Sequence, residues 1–324
     1  EDPNWENFVY PLQKSNEKLS RVWSQINHLN SVVNNEKLRL IYNKNLTKVT
    51  KYYSELSQNK LIYKKFIKIK SGTCYRALTA PQKKIIADEI LGFELGGVAL
   101  NNNKKIQFKK ILSKLSKLSA NFEENLLDSV NNFSLLIKNK EKLKGIPNDV
   151  LIKAKIDAKN QKKSGWAFSL DFPCYMPVMQ YADNRELRKQ IYYAYATKAS
   201  DLSDKNEDNT DNINKILLNK QKLANLLGFS DYASMALTTK MANSSKEVIS
   251  FLDDLANKAK PFASKDMADL INYGHKLNIN NIEAWDVAYL SERIKEERFN
   301  YSEQEVKNYF PDHKVIDGLF KVVE

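Results

Sequence analysis

Cysteine, glycine and proline are all scarce in this chain of 324 residues. The two cysteines, Cys74 and Cys174, lie far apart and form no C-x-x-C pair. A disulfide framework is therefore not expected, and a reducing compartment is favoured. The 9 glycines and 8 prolines supply few of the residues that make turns and interrupt helices, so the composition favours long helices over sheets.

Long apolar runs are absent as well. No stretch approaches the roughly 18 to 20 apolar residues that span a bilayer, and the polar, acidic start from Glu1 to Trp5 does not resemble a signal peptide. Apolar residues still make up 42% of the chain and aromatic residues 10%, which is enough to bury a core. We expect a soluble protein without a membrane partner.

Positive charge is in excess, with a net charge of +12, and such an excess is typical of proteins that bind nucleic acid. The lysines, however, are spread among Glu and Asp along the chain rather than gathered in one stripe or tail. Solvated helix faces explain this pattern. Nucleic acid is therefore not predicted as a partner. A basic nucleic-acid-binding protein is kept as an alternative hypothesis.

Familiar catalytic and metal-binding motifs are missing. The three histidines, His28, His275 and His313, have no second His or Cys three or four residues away, and no H-E-x-x-H occurs. There is no G-x-S-x-G and no phosphate-binding or dinucleotide-binding glycine loop, and neither cysteine lies in a catalytic pattern. We therefore assign no catalytic residue and no metal ligand, and the substrate-binding residues remain unknown.

Apolar residues recur every three or four positions over most of the first 130 residues, which predicts amphipathic helices. Asp2 is the expected N-cap of the first helix, with Pro3 in its first turn. Thr79 and Gln82 form an expected capping box for a later helix. The pair Gly96-Gly97 is expected to end that helix rather than to bind phosphate.

The pattern changes after residue 130. A short apolar run at 133–137 and an alternating segment at 165–171 predict a small β excursion within residues 133–171. Helix is expected again after Pro173, with a second capping box formed by Asp183 and Glu186. The polar stretch 200–211 is the best candidate for a domain boundary or an exposed loop. Further helices are predicted at 213–228, at about 245–260, at 262–277 and at 281–297.

Two other groups of side chains have the chemistry of a site. The adjacent acids Asp253-Asp254 and Glu296-Glu297 lie in predicted helices, where neighbouring residues point in different directions, so paired acid–base work is not expected. The tyrosines Tyr192, Tyr193 and Tyr195 have the type of side chain that lines ligand grooves, but helix packing is the favoured interpretation.

Several segments follow one another in a distinctive order: INHLNSVVNNEKLRLIY (26–42), LDFPCYMPVMQYADNRELRKQIYYAYATKASD (170–201), LANLLGF (223–229), Tyr232-Ala233, TTKMA (238–242), AWDVAYLSE (284–292) and YFPDHKVIDGLF (309–320). Together they resemble the oligopeptidase A branch of the thimet oligopeptidase family over nearly the whole chain. The resemblance implies a zinc enzyme that hydrolyses short peptides in the cytoplasm, with two mostly helical lobes flanking a deep channel.

The family's zinc motif, H-E-F-G-H, and a further Glu ligand follow the last matched segment, and this chain contains neither. The resemblance therefore identifies an amino-terminal half, mainly α, that forms an elongated multi-helix lobe. It implies a helical domain at 1–205 and the beginning of the peptidase domain at 206–324. Zinc is implied for the full-length enzyme, whereas this fragment is expected to bind none and to be inactive alone.

This half is expected to supply channel wall, to restrict substrate size and to pair with the missing C-terminal half. The group Trp285-Asp286-x-x-Tyr289 matches a family pattern, although Leu290 stands where an aromatic residue is often found. We expect this group to be structural, with contact to a peptide as the alternative. For the whole chain, the alternative is a stand-alone helical binding or scaffold protein derived from such a peptidase.

Overall fold

The structure is a computed structural model that describes residues 1–324, and it contains fifteen α-helices and one small sheet. The first eight helices are α1 Tyr10–Val32, α2 Glu36–Ser57, α3 Lys60–Ser71, α4 Cys74–Ala77, α5 Ala80–Leu95, α6 Asn102–Asn132, α7 Asn148–Asn160 and α8 Phe172–Tyr181. The others are α9 Arg185–Ala196, α10 Thr210–Leu226, α11 Tyr232–Leu237, α12 Ser245–Lys276, α13 Ala284–Phe299, α14 Glu303–Val306 and α15 Asp312–Val323. Two strands, β1 Leu135–Ile137 and β2 Trp166–Phe168, form the sheet. The predicted mainly α fold with a β excursion within 133–171 is confirmed.

The chain forms two compact units, and each unit draws on two separated parts of the sequence. Unit one comprises Glu1–Leu127 and Asn209–Val248, and unit two comprises Asp128–Asp208 and Ile249–Glu324. The polar stretch 200–211 has no regular secondary structure before residue 210 and contains one passage of the chain between the units. The predicted division into domains 1–205 and 206–324 refers to the domains of a full-length peptidase. It stays a prediction.

Aromatic rings hold the first helices of unit one together. The ring centroid of Phe66 on α3 lies 5.2 Å from that of Phe8 and 5.7 Å from that of Phe93 on α5. Tilted and edge-on pairs of this kind add to the free energy gained by burial. The buried cluster around them comprises Val9, Phe66, Ile69, Ile86, Ile90, Phe93 and Val98.

The ends of α5 follow the sequence prediction. Thr79 and Gln82 form the capping box at its start, because each side chain bonds the backbone of the other residue. At its end, Gly97 has a φ of +78°, which glycine adopts without strain. Gly96 is also constrained, since a Cβ there would lie 2.4 Å from the Cβ of Ser57 on α2.

The predicted N-cap of the first helix is wrong. Asn4, not Asp2, caps the chain start, and its side chain accepts a hydrogen bond from the backbone N–H of Asn7 at 2.9 Å. The Asp2 carboxylate binds Lys68 on α3 instead. A π-helical turn, Trp5–Val9, then leads into α1, so the chain settles into an α-helix only near Pro11.

The β excursion supplies part of the core of unit two. Strands β1 and β2 are antiparallel, with Leu135 opposite Phe168 and Ile137 opposite Trp166. Phe168 is fully buried, and so is Ala167 on the other face of the strand, because α7 packs against β2. The cluster around the sheet includes Leu143, Ile146, Val150, Val178, Met179, Leu187 and Ile191.

The predicted start of α9 is wrong by one residue. Asn184 is the N-cap, and its side chain accepts from the backbone N–H of Leu187 at 2.9 Å. Asp183 is held elsewhere, since its backbone N–H donates to the carbonyl of Lys144 at 2.9 Å and its carboxylate accepts from the Tyr289 hydroxyl. A long-range contact therefore decides which of two neighbouring cap-type residues performs the capping.

The two helices predicted on either side of Pro261 are one continuous helix, α12. Proline has no N–H and leaves one carbonyl of the preceding turn, that of Asn257, without its helical partner. Residues 249–268 are all exposed, so water satisfies that carbonyl and the helix continues. None of the helices in the chain combines the length and apolar character needed to cross a membrane.

Candidate functional site

A fully buried carboxylate lies where three helices of unit two meet. Helix α13 packs against α8 and α9, and Asp286 stands in the first turn of α13, 0% exposed. Its side chain accepts from the backbone N–H of Glu283, the N-cap residue, at 3.1 Å. A capping role thus brings this carboxylate to the start of the helix, and tertiary packing then buries it.

Two arginines of α9 bind this carboxylate. Arg185 donates through Nε to both Asp286 oxygens at 3.0 Å and through Nη2 to Oδ2 at 2.7 Å. Arg188 donates through Nη2 to Oδ1 at 2.8 Å. The spacing of three residues places both guanidinium groups on one face of α9, and their planar forks match the geometry of a carboxylate.

Arg188 also ties the surrounding backbone together. Its side chain is 1% exposed and donates to the carbonyls of Ala182 at 2.7 Å and Trp285 at 3.2 Å. Its guanidinium lies 4.1 Å from the centroid of the Tyr289 ring, a distance at which cation and ring attract. We name Arg185, Arg188, Asp286 and Tyr289 the Asp286 clamp.

A second polar contact joins α8 to α13. The Tyr181 hydroxyl donates to Oε1 of Glu292 at 2.9 Å, and both residues are buried. Lys295 bonds the other Glu292 oxygen at 2.8 Å and Oε1 of Glu303 at 2.9 Å. Burial and the Glu292 carboxylate raise the pKa of Tyr181 above its ordinary value, so this phenol stays a proton donor to Glu292.

The electrostatics of the clamp favour a fixed charge rather than a proton carrier. Burial pushes the pKa of Asp286 upwards, but the hydrogen bonds from Arg185 and Arg188 outweigh burial and hold that pKa below its ordinary value. Each carboxylate oxygen already accepts from arginine at 3.0 Å or less. Asp286 is therefore an anion at neutral pH that holds α13 against α9, which favours the structural interpretation of the Trp285-Asp286-x-x-Tyr289 group.

The residues considered for chemistry from the sequence are not brought together. His28 lies on α1, His275 bonds Asn280 at 3.3 Å, and His313 lies 3.6 Å from Asp312. Cys74 and Cys174 are both free. The structure contains no group of three or more His, Cys, Asp or Glu side chains that could hold a metal ion.

The acid pairs and tyrosines have ordinary surroundings. Asp254 and Glu297 form surface ion pairs with lysines. Tyr195 stacks on Tyr175 at a centroid distance of 3.8 Å, and Tyr192 meets the edge of Trp285 at 6.2 Å. Only Tyr193 among the three tyrosines is exposed, so packing explains the other two.

Comparison with known families places both parts of the chain. Residues 1–105 match the family described as "Neurolysin/Thimet oligopeptidase, N-terminal domain", and residues 178–324 match "Peptidase family M3". Over residues 178–324 the chain is therefore similar to peptidase family M3. All four residues of the Asp286 clamp lie in the second match.

Individual relatives agree with this assignment. The chain is 36% identical to oligopeptidase A of Haemophilus influenzae and 35% identical to oligopeptidase A of Escherichia coli, over 99% of its own length in both cases. It is 33% identical to a probable cytosolic oligopeptidase A of Arabidopsis thaliana over 98% of its length. These alignments cover 47%, 48% and 46% of the respective relatives, so the chain spans about half the length of the curated relatives it matches. The predicted resemblance to an amino-terminal half is confirmed.

The arginines of the clamp were not singled out from the sequence, although a signal was present. Lysine and arginine together number 51 in this chain, and only seven of them are arginine. A chain that otherwise uses lysine keeps arginine where a planar fork is needed. Four of the seven are in unit two, at positions 185, 188, 293 and 298.

Proposed function

We propose that this chain is the N-terminal part of a cytoplasmic, zinc-dependent oligopeptidase that hydrolyses short peptides. The single observation that carries the proposal is the similarity to oligopeptidase A at 33–36% identity along almost the entire chain. The order of the two family matches supports the same conclusion. The name of the Arabidopsis relative, "Probable cytosolic oligopeptidase A", and the two free cysteines support the cytoplasmic location.

The side chains of this chain do not fit a catalytic zinc ion. Such an ion needs three protein ligands from His, Cys or carboxylate around one point. The three histidines stand apart on different segments, and no group of three donors exists in the structure. We therefore derive no chemical step from these residues and propose that the zinc ligands belong to the rest of the polypeptide. By itself, this fragment is proposed to be inactive.

The proposed contribution of these residues is a rigid wall of the peptide channel that restricts substrate size. The Asp286 clamp supports this role, because the buried hydrogen bond from Arg188 to Asp286 fixes α13 to α9 where water does not compete. The contact of Tyr181 with Glu292 fixes α13 to α8 in the same way. A wall that excludes large substrates needs helices that keep their spacing when such a substrate enters the channel.

Exposed apolar faces on α15 and α12 support the proposal that another part of the polypeptide packs against them. On α15, Ile316, Leu319, Phe320 and Val323 follow the spacing of one helix face, and Leu319 and Phe320 are 60% and 62% exposed. On α12, Ile249, Leu252 and Phe262 are likewise exposed. Contiguous exposed apolar surface marks a place where another surface packs, and we propose that the C-terminal half covers it.

Peptide hydrolysis by the natural gene product tests this proposal. We expect that product to cleave a short fluorogenic peptide, to lose the activity on chelation and to regain it with zinc. The 324-residue chain purified alone serves as the control and should show no turnover. Activity of the 324 residues alone, or a natural product that cleaves no peptide, would contradict the proposal. The second outcome would instead favour a stand-alone helical binding protein.

A further inference from the structure

Four polar contacts join α2 and α6, two long helices of unit one. The contacts are Asn43 with Glu124 at 2.8 Å, Thr50 with Ser116 at 3.0 Å, Glu55 with Lys109 at 3.7 Å and the Gln58 carbonyl with Lys105 at 3.1 Å. The numbers rise along α2 as they fall along α6, so the helices run antiparallel. Open space lies beside these contacts.

That space is a groove with a volume of about 510 Å³, within the range of small-molecule and peptide sites. Its charged side chains are Lys51, Glu55, Lys109, Lys110, Lys114 and Lys117. Five lysines and one glutamate thus line this space, which we name the lysine groove. Its charge comes from the first half of α6, because residues 102–120 contain six lysines and no acid.

The one acidic side chain does not neutralise the groove. Glu55 lies 3.7 Å from Lys109 and 4.0 Å from Lys51, so it serves two of the five lysines. Glu55 is the only acidic residue in the lining, which also includes Lys110, Lys114 and Lys117. A concave surface that concentrates charge of one sign raises the local concentration of ligands of the opposite sign.

A buried hydroxyl at the wall of the groove is an independent sign of a ligand. Ser54 lines the lysine groove and is 4% exposed. Its Oγ has no hydrogen-bond partner, whereas buried polar atoms are nearly always bonded. Thr47, Thr50 and Ser113 add further hydroxyl groups to the lining. The groove therefore offers both positive charge and an unused hydrogen-bonding atom.

We propose that the lysine groove binds an acidic oligopeptide, with carboxylates against the lysines and a polar group of the peptide against Ser54. The choice of a peptide as the carrier of the carboxylates rests on the proposed function. The lysine ammonium is a compact charge on a flexible stem, which suits carboxylates on a flexible chain. The apolar stems of the lysines also form walls of the groove, and methylene groups of a peptide can pack against these walls.

Nucleic acid fits this groove less well. No arginine lines it, so the bidentate fork that suits phosphate is absent from the lining. No aromatic side chain lines it either, whereas proteins that bind single-stranded nucleic acid stack bases on aromatic rings. The lining thus favours carboxylates over phosphates that carry bases.

Fluorescence anisotropy on the natural gene product tests the proposal. The probe is a fluorescein-labelled hexapeptide of alternating Glu and Ala, and a second peptide with Gln in place of Glu is its neutral match. A chelator is present throughout, so binding is measured without hydrolysis. We expect the acidic probe to bind more tightly than the neutral probe, and its affinity to fall as salt screens the lysines.

Two variants locate the binding in the groove. Lys110→Gln with Lys114→Gln should weaken binding of the acidic probe roughly fivefold to tenfold. The matched control, Lys37→Gln with Lys44→Gln, removes the same charge from α2 outside the groove and should leave binding nearly unchanged. Ser54→Ala should weaken binding about threefold without lowering the melting temperature, because the hydroxyl has no partner within the protein.

Each contrary outcome overturns the proposal. Equal losses in the two lysine pairs would show a diffuse charge effect. Tighter binding of a single-stranded oligonucleotide than of the acidic peptide, with the same sensitivity to the groove variants, would assign the groove to nucleic acid. Absence of acidic-peptide binding in a protein that still hydrolyses peptides would remove this inference and leave the proposed function standing.

Discussion

Arg188 and Asp286 form an ion pair at 2.8 Å in which the two side chains are 1% and 0% exposed. They are 98 residues apart in the chain, and both lie in the segment that matches peptidase family M3. The pair joins the first turn of α9 to the first turn of α13. Because water reaches neither group, the geometry depends on both partners, and the first two predictions follow from this dependence.

Removal of the charge at position 286 should be costly. Asp286→Asn keeps the shape of the side chain but leaves Arg188 buried without its counter-ion, which typically costs about 3 to 5 kcal/mol. Urea unfolding followed by circular dichroism measures this change. The control Asp253→Asn, on an exposed part of α12, should stay within about 0.5 kcal/mol of the parent. A loss below about 1 kcal/mol in Asp286→Asn would contradict the structural role.

The two arginines of the clamp should respond differently to lysine. Arg188 bonds two carbonyls as well as Asp286, whereas the side chain of Arg185 is 43% exposed and keeps access to water. Lysine preserves the charge but not the fork. We expect Arg188→Lys to lower the melting temperature clearly more than Arg185→Lys does. Equal shifts in the two variants would show that charge alone matters at this site.

Acid should weaken the clamp. The pKa of Asp286 is below its ordinary value in the folded protein, so its stabilisation is fully present above the unfolded pKa and is lost as pH falls through the lower folded pKa. We expect the urea midpoint of the parent to fall as the pH drops below the ordinary pKa of an aspartate. Asp286→Asn has no carboxylate to titrate there and should fall less. Parallel curves for the two proteins would assign the acid sensitivity to other carboxylates.

Two glycines around the end of α5 should respond in opposite directions to alanine. A Cβ at Gly92 meets no atom within 4 Å, and alanine favours a helix interior by about 0.8 to 1 kcal/mol over glycine. Gly97 has a φ of +78°, and a Cβ there would lie 2.7 Å from Leu100 Cδ1. Gly92→Ala should therefore raise the melting temperature, and Gly97→Ala should lower it. Shifts of the same sign would contradict this account of the helix end.

The exposed face of α15 should cause self-association of the 324-residue chain. Leu319→Ser with Phe320→Ser removes two large apolar side chains from that face, so sedimentation should show a larger monomer fraction at equal concentration. Lys314→Ser on the same helix is the matched control. A parent chain that stays monomeric at high concentration would contradict the proposal that this face packs against another part of the polypeptide.

Local patterns predicted most of the helices, but not the contacts that fix them. The box of Thr79 and Gln82 and the stop at Gly97 depend on neighbours in sequence, and both are confirmed. The choice of Asn184 over Asp183 as a cap depends on Tyr289, which is far away in the sequence. Continuity of α12 through Pro261 depends on exposure to water, which the sequence does not reveal.

The clamp was predictable only in part. The group of Trp285, Asp286 and Tyr289 was recognised from its resemblance to a family pattern, whereas its partners Arg185 and Arg188 were not. Periodicity shows which face of a helix is apolar, but it does not show which distant charge will meet a buried carboxylate. The excess of lysine over arginine was the one local sign that these two positions need a planar guanidinium.

The central claim is that these residues belong to a peptidase that admits only short peptides. The most direct measurement compares hydrolysis of one peptide bond by the natural gene product when that bond lies in a short peptide and when it lies in a folded protein domain. The account predicts cleavage of the peptide and no cleavage of the domain. Equal cleavage of both substrates, or no cleavage of the short peptide, would contradict it.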